Sequence, residues 1–103
     1  MPAKVTITFA ESAISDLKEI LSYYVEQGVP QTGRQLVAAI IDDIELLRDQ
    51  PDMGRIVPEF EVKYLRELIR PPFRIVYRRD KKRIRIVRVW RSERLLKISK
   101  EKK

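Results

Sequence analysis

Val5, Ile7 and Phe9 alternate with Thr6 and Thr8. A period of two predicts a short strand with one buried face. From residue 11 the period lengthens. Ile14, Leu17, Leu21 and Tyr24 recur at helical spacing, widened by Ala13, Ile20 and Val25, and predict an amphipathic helix over 11–27. Gly28 stands where helices commonly end in left-handed geometry, and Val29-Pro30 makes the turn. Thr32-Gly33-Arg34-Gln35 then has the form of a capping box, with Pro30 as the alternative start of the next helix. That helix runs to about Arg48. Leu36, Val37, Ile40, Ile41, Ile44 and Leu47 form its inner face, and Asp42, Asp43 and Glu45 lie on the outer one. Two amphipathic helices joined by a short turn make an antiparallel hairpin.

Gln50-Pro51-Asp52-Met53-Gly54 stops the second helix, and a loop runs to about Val62. The period is two from there on. Tyr64–Arg70 is one strand, Pro71-Pro72 interrupts it because proline cannot donate to a sheet ladder, and Phe73–Arg79 is the next. Phe73, Ile75 and Tyr77 share one face; Arg74, Val76 and Arg78 share the other. Asp80-Lys81-Lys82 is a tight turn into a last strand, Arg83–Arg91. Ile84 and Ile86 sit on one parity there and Val87 and Val89 on the other, which predicts a β-bulge or a strand covered on both faces. Residues 92–103 read as a basic tail with a short helical turn at 95–98. The order β-α-α-β-β-β predicts one α+β domain over residues 1–103, with the hairpin packed on one face of a twisted antiparallel sheet and arginines on the other.

The 103 residues suit a single domain with a net stability of about 5–15 kcal/mol. There is no cysteine and no histidine. Disulfides, thiolate nucleophiles and sulfur-based metal sites are excluded, and so is the usual neutral-pH general base. No cofactor or metal is expected. No apolar run approaches the ~20 residues of a membrane span, and the first residues lack a signal-peptide core, so a cytoplasmic protein is expected. Net charge is +7, unevenly spread. Residues 1–62 carry five Lys/Arg against eleven Asp/Glu, a net −6, and residues 63–103 carry seventeen against four, a net +13. Such a half-chain draws polyanions or acidic protein segments.

Any chemistry falls to carboxylates, Lys, Arg, Tyr or Ser. The candidates are strand arginines: Arg66, Arg70, Arg74, Arg78, Arg85, Arg88, Arg91 and, just beyond, Arg94. A guanidinium forks onto phosphate or carboxylate with two parallel hydrogen bonds. Tyr77 shares its parity with Phe73 and Ile75 and reads as core. Trp90 reads as a cover for the sheet. Asp42 and Asp43 are adjacent on a helix and diverge, so they are no acid/base pair. Glu67, among arginines, reads as a structural ion-pair member.

Three stretches resemble the RelE/ParE toxin superfamily. Pro51-Asp-Met-Gly-Arg55 is similar to the Pro-x-x-Gly-Arg that follows the second helix in ParE-like toxins. Leu65-Arg-Glu-Leu-Ile-Arg-Pro-Pro-Phe-Arg-Ile-Val-Tyr-Arg78 is similar to the family's Leu-Arg-Glu-Leu and Tyr-Arg-Ile-Val-Tyr-Arg strand pair. Ile86-Val-Arg-Val-Trp-Arg-Ser-Glu-Arg94 looks like the last strand and closing arginine. The opening strand and Asp16-Leu17 fit as well, so the resemblance covers roughly residues 5–96.

The resemblance implies the toxin of a type II toxin–antitoxin module, a growth inhibitor of the plasmid-stabilisation kind, wrapped by a cognate antitoxin. It leaves two mechanisms. ParE-like members poison DNA gyrase without catalysis, and the Leu-Arg-Glu-Leu and Pro-x-x-Gly-Arg stretches match that branch better. Arg74, Arg78, Arg88, Arg91 and Arg94 are then the target-binding residues, with Arg91 nearest the place of the family's usual histidine. RelE-like members cut mRNA on the ribosome, which would assign Arg66, Arg74 and Arg91 to catalysis. Against this, Leu65 and Glu67 stand where that branch has lysines, and no tyrosine or histidine follows residue 90. An inert relative acting only as a binding module is a third reading. The expected antitoxin surface is the apolar seam of the hairpin, with Leu17, Leu21, Tyr24, Ile40 and Ile44, together with the adjacent sheet edge.

Overall fold

The computed structural model describes residues 5–91. The expected tail, its helical turn and Arg94 lie outside the described residues. The elements are β1 (Thr6–Phe9), α1 (Glu11–Glu26), α2 (Pro30–Leu46), β2 (Arg55–Ile56), β3 (Leu65–Arg70), β4 (Phe73–Arg79) and β5 (Arg83–Arg91). The α+β class and the helical hairpin match the sequence expectation. The order gains one strand, β2, whose two residues are too few to show a period.

The five strands form one sheet in the order β1-β5-β4-β3-β2. β3, β4 and β5 make the expected antiparallel meander, with β2 antiparallel on β3. β1 is the exception: it runs parallel to β5, Thr6 opposite Arg83 and Phe9 opposite Ile86. The Pro71–Pro72 peptide, which is cis, occupies the two-residue connection between paired Arg70 and Phe73. The parity change in β5 is a bulge. Val76 faces Arg88 and Tyr77 faces Ile86, so Val87 is the extra residue. Its insertion puts Ile84, Ile86 and Val89 on one face and Arg83, Arg85 and Arg88 on the other.

Both helices lie on the first of those faces. Phe73, Ile75, Tyr77, Ile84, Ile86 and Val89 meet Ala13, Ile20, Ile40, Ile44 and Leu47 in one buried cluster. Burying each large apolar side chain contributes about 1.5–3 kcal/mol before entropy is counted. α1 ends in a Schellman arrangement: Gly28, at φ +77°, donates to Val25 O and Val29 donates to Tyr24 O. α2 starts at Pro30, the alternative start, and the capping box at Thr32 does not form. Proline's fixed φ suits the first helical position. Gly33 instead serves the hairpin, because a Cβ there would lie 2.9 Å from Tyr24 Cβ.

α1 is rotated from the predicted stripe. Its buried residues are Ala13, Asp16 and Ile20, whereas Ile14 is 42% and Val25 60% exposed. A carboxylate at the centre of the buried face displaces the apolar stripe to its flank.

Candidate functional site

β1 pairs only with residues 83–86, so the far half of β5 would present an open edge. α1 takes that edge. Ala10 N–H donates to Ile86 O at 2.9 Å, and Ser12 Oγ donates to Val87 O at 2.7 Å. Asp16 Oδ2 accepts from Val89 N–H at 2.8 Å. The same carboxylate receives a guanidinium fork from Arg88, Nε at 2.8 Å and Nη2 at 3.0 Å. Those bonds raise the Arg88 pKa further above its ordinary value. Asp16 thus acts as a strand's carbonyl would and binds a charge as well.

Beyond Asp16 a groove of about 280 Å³ opens between α1 and the end of β5. Tyr23, Tyr24, Phe73, Trp90 and Arg91 wall it, with Arg88 at its mouth. Arg88 lies 4.7 Å from the Trp90 ring centre, and Arg91 lies 5.6 Å from Tyr23 and 5.7 Å from Phe73. Arg91 Nη1 is 3.5 Å from Tyr24 Oη, and the Tyr23 and Tyr24 rings meet edge to face at 5.0 Å. Guanidinium over aromatic faces is held by the ring quadrupole while its N–H groups stay directed outward. An apolar or aromatic anchor carrying a carboxylate fits such a groove.

A second cluster braces the sheet. Glu67 is buried on β3 and receives Arg55 Nε and Arg74 Nε, each at 2.6 Å. Arg74 is buried too, and its two terminal nitrogens fork onto Glu59 at 2.8 and 2.9 Å. The fork holds the Glu59 carboxyl down at about 2, with the Arg74 hydrogen bonds the main cause and burial opposing. Arg74 is raised by the same bonds. Gly54 packs against this region: its N–H donates to Tyr77 Oη at 3.0 Å, and Tyr77 donates to Pro51 O at 2.9 Å. Arg66 Nη1 donates to Gly54 O at 2.9 Å, with its Nε 3.8 Å from Asp52. The Pro-x-x-Gly-Arg and Leu-Arg-Glu-Leu stretches are therefore one interlocked structural unit.

The structure redistributes the sequence candidates. Arg74 does not stand on an open face; two carboxylates enclose it. Arg66 faces the Pro51–Gly54 turn, and Arg70 forks onto Asp43 of α2 at 2.7 and 2.8 Å. Ile40 and Ile44 belong to the chain's own core, because the hairpin turns its apolar seam onto the sheet. Leu17 and Tyr24 are partly buried against that core, and Leu21 is half-buried. Arg88 and Arg91 do come together, at the groove. Arg78 and Arg85 lie on the exposed end of the sheet's outer face. Tyr77 is core, as its parity indicated. Tyr23 and Glu59 are residues that sequence reasoning missed, and Asp16, noted only as part of the resemblance, was given no role. Tyr23 has a signal in the Tyr-Tyr pair; by residue type and position Asp16 and Glu59 look like surface acids. Among the described residues, no three acidic side chains converge as a metal site, and no helix is long and apolar enough to cross a membrane.

The sequence model of the ParE toxin of the type II toxin–antitoxin system parDE matches residues 7–96. Among solved structures, the chromosomal ParDE toxin–antitoxin system from P. aeruginosa is similar at a TM-score of 0.70 and 28% identity, over 85% of this chain and 96% of that one. The RelBE2 toxin–antitoxin complex from Mycobacterium tuberculosis shares the fold at a TM-score of 0.63 and 22% identity, over 85% and 98%. No curated protein matches in sequence.

Proposed function

The chain belongs to the ParE toxin family of type II toxin–antitoxin systems, and from that membership we propose that it arrests growth by binding DNA gyrase, without chemistry of its own, while a cognate antitoxin restrains it. One observation carries the non-catalytic reading. Of the three residues a nuclease would use, Arg66 is tied to Gly54 and Arg74 is enclosed by Glu59 and Glu67, which leaves only Arg91 at an open surface. A guanidinium stays protonated at every working pH, so it supplies charge rather than proton transfer. Without a positioned acid or base, a nuclease forfeits about 10²–10⁴ in rate. The groove between α1 and β5 is the proposed target contact, with Arg88, Arg91, Tyr23 and Trp90 as its anchors.

Ribosome-dependent mRNA cleavage is the second reading. It draws on the phenol of Tyr24 beside Arg91. The test is to induce the chain alone in a bacterium and follow labelled thymidine and labelled amino acids together. An early stop in DNA synthesis with intact transcripts is expected; an early stop in protein synthesis with cut transcripts would move the assignment to the ribosome. If neither falls while folded protein accumulates, the chain is an inert binding module.

The antitoxin surface moves with the rotation of α1. Ile14 and Val25, both exposed, and half-buried Leu21 lie on one face of that helix, turned away from the side chains that wall the groove. An amphipathic antitoxin segment laid there would cover that apolar face.

A further inference from the structure

The outer face of the sheet has two unlike ends. At one, Arg55, Glu67, Arg74 and Glu59 neutralise one another. At the other, Arg78 of β4 and Arg85 of β5 are direct cross-strand partners. Arg83 follows on the same face, and Lys81 and Lys82 occupy the connecting turn. Like charges placed directly opposite each other destabilise a sheet. Little offsets them here. Asp80 lies 3.4 Å from Arg78 Nε, with both side chains about half exposed, and Arg85 reaches only the Thr8 hydroxyl, at 3.5 Å. Among the described residues, no carboxylate lies within ion-pair distance of Arg83 or Arg85, whereas Arg55, Arg66, Arg70, Arg74, Arg79 and Arg88 each have one.

We propose that Arg78, Arg83 and Arg85 form a docking site for the phosphate backbone of duplex DNA, indifferent to its sequence. The three guanidinium groups stand on neighbouring positions of paired strands. Neighbouring strands are about 4.8 Å apart, and same-face residues along a strand are about 6.6 Å apart. Each group can fork onto phosphate oxygens. Single-strand sites add bare aromatic rings on which bases stack. The rings nearest this face already carry a guanidinium: Arg78 lies 4.8 Å over the half-exposed Tyr64 ring and Arg88 4.7 Å over Trp90. The face therefore offers charge without a stacking platform, which suits a backbone whose bases are paired and turned away. The site is independent of the gyrase contact and lies away from the groove.

The test is fluorescence anisotropy of the full-length chain with a labelled duplex of about 20 base pairs, titrated between 50 and 200 mM salt. Each lost phosphate contact lowers the salt slope by about 0.9. The Arg78→Gln/Arg85→Gln variant is therefore expected to be shallower by about 1.8 and roughly tenfold or more weaker at 0.1 M salt. Arg34→Gln/Arg48→Gln, which removes the same charge from α2 and the turn that follows it, is expected to keep the wild-type slope. A thermal melt without DNA shows that the first variant folds, with Tm raised by about 1–4 °C as the opposed charges go. An unchanged slope in the sheet variant, or equal losses in both, overturns the site. Tighter binding of single-stranded DNA or RNA of the same sequence overturns the duplex. The assay contains no gyrase, so its failure leaves the proposed target standing.

Discussion

Glu67 and Arg74 look, by residue type, like a base and a phosphate ligand. Their surroundings decide otherwise. Glu67 is closed between Arg55 and Arg74, and Arg74 passes the charge on to Glu59. The carboxyl of Glu59 is held at about 2, below its ordinary 4.5. Its ion pair therefore contributes stability above about pH 4.5, and that contribution is lost as pH falls towards 2. Because the Glu59 side chain is partly exposed, solvent screening keeps the effect small. Acid unfolding of Glu59→Gln, followed by circular dichroism, should show a flatter loss of stability across that window than the wild type; identical profiles would place the acid sensitivity elsewhere. Gly54 gives a sharper test. A Cβ there would lie 2.6 Å from Tyr77 Oη and 2.7 Å from Glu67 O. Gly54→Ala should cost about 1–3 kcal/mol in urea unfolding. The motif Pro-x-x-Gly-Arg could be read from the chain. That its glycine is required by a tyrosine twenty-three residues away could not, because nothing local records the approach.

Among the elements, the meander and the hairpin are legible because each strand alternates and each helix carries an apolar stripe. Three features are not. β2 is too short to have a period. β1 pairs parallel with β5, which no local pattern encodes. α1 is rotated because Asp16, counted as polar, is in fact the centre of its buried face. A carboxylate that satisfies a strand N–H and a guanidinium together is stable there, since burial is costly only for an unpaired charge. Asp16→Ala strips both partners at once and should cost about 2–4 kcal/mol by denaturant unfolding. Asp16→Asn keeps an acceptor for Val89 N–H and should cost less. Equal losses would mean that the strand-edge bond contributes little. The bulge at Val87 was visible as a change of parity in β5, and the structure turns it into a device that aligns Arg83, Arg85 and Arg88 on one face.

At the scale of the whole molecule, the charge split between the two halves of the sequence is bridged, among the described residues, by ion pairs. Helix carboxylates at Asp16 and Asp43 reach across to Arg88 and Arg70, and among the described residues Arg83 and Arg85 at the exposed end of the sheet have no carboxylate within ion-pair distance. The aromatic groove and this basic end are separate surfaces. A toxin that engages an antitoxin over α1 should gain stability by mass action, about 4 kcal/mol at partner concentrations a thousandfold above Kd. The melting temperature should rise with added antitoxin, and Val25→Glu should blunt the rise without altering the toxin's own melting.

The most direct measurement of the central claim is gyrase supercoiling of relaxed plasmid in the presence of the purified chain. The wild type is expected to inhibit supercoiling, and Tyr23→Ala/Arg91→Ala, folded by circular dichroism, is expected to inhibit at least tenfold more weakly, about 1.4 kcal/mol of contact energy. Full supercoiling at saturating wild-type toxin, with mRNA cut in a ribosome assay, would contradict it.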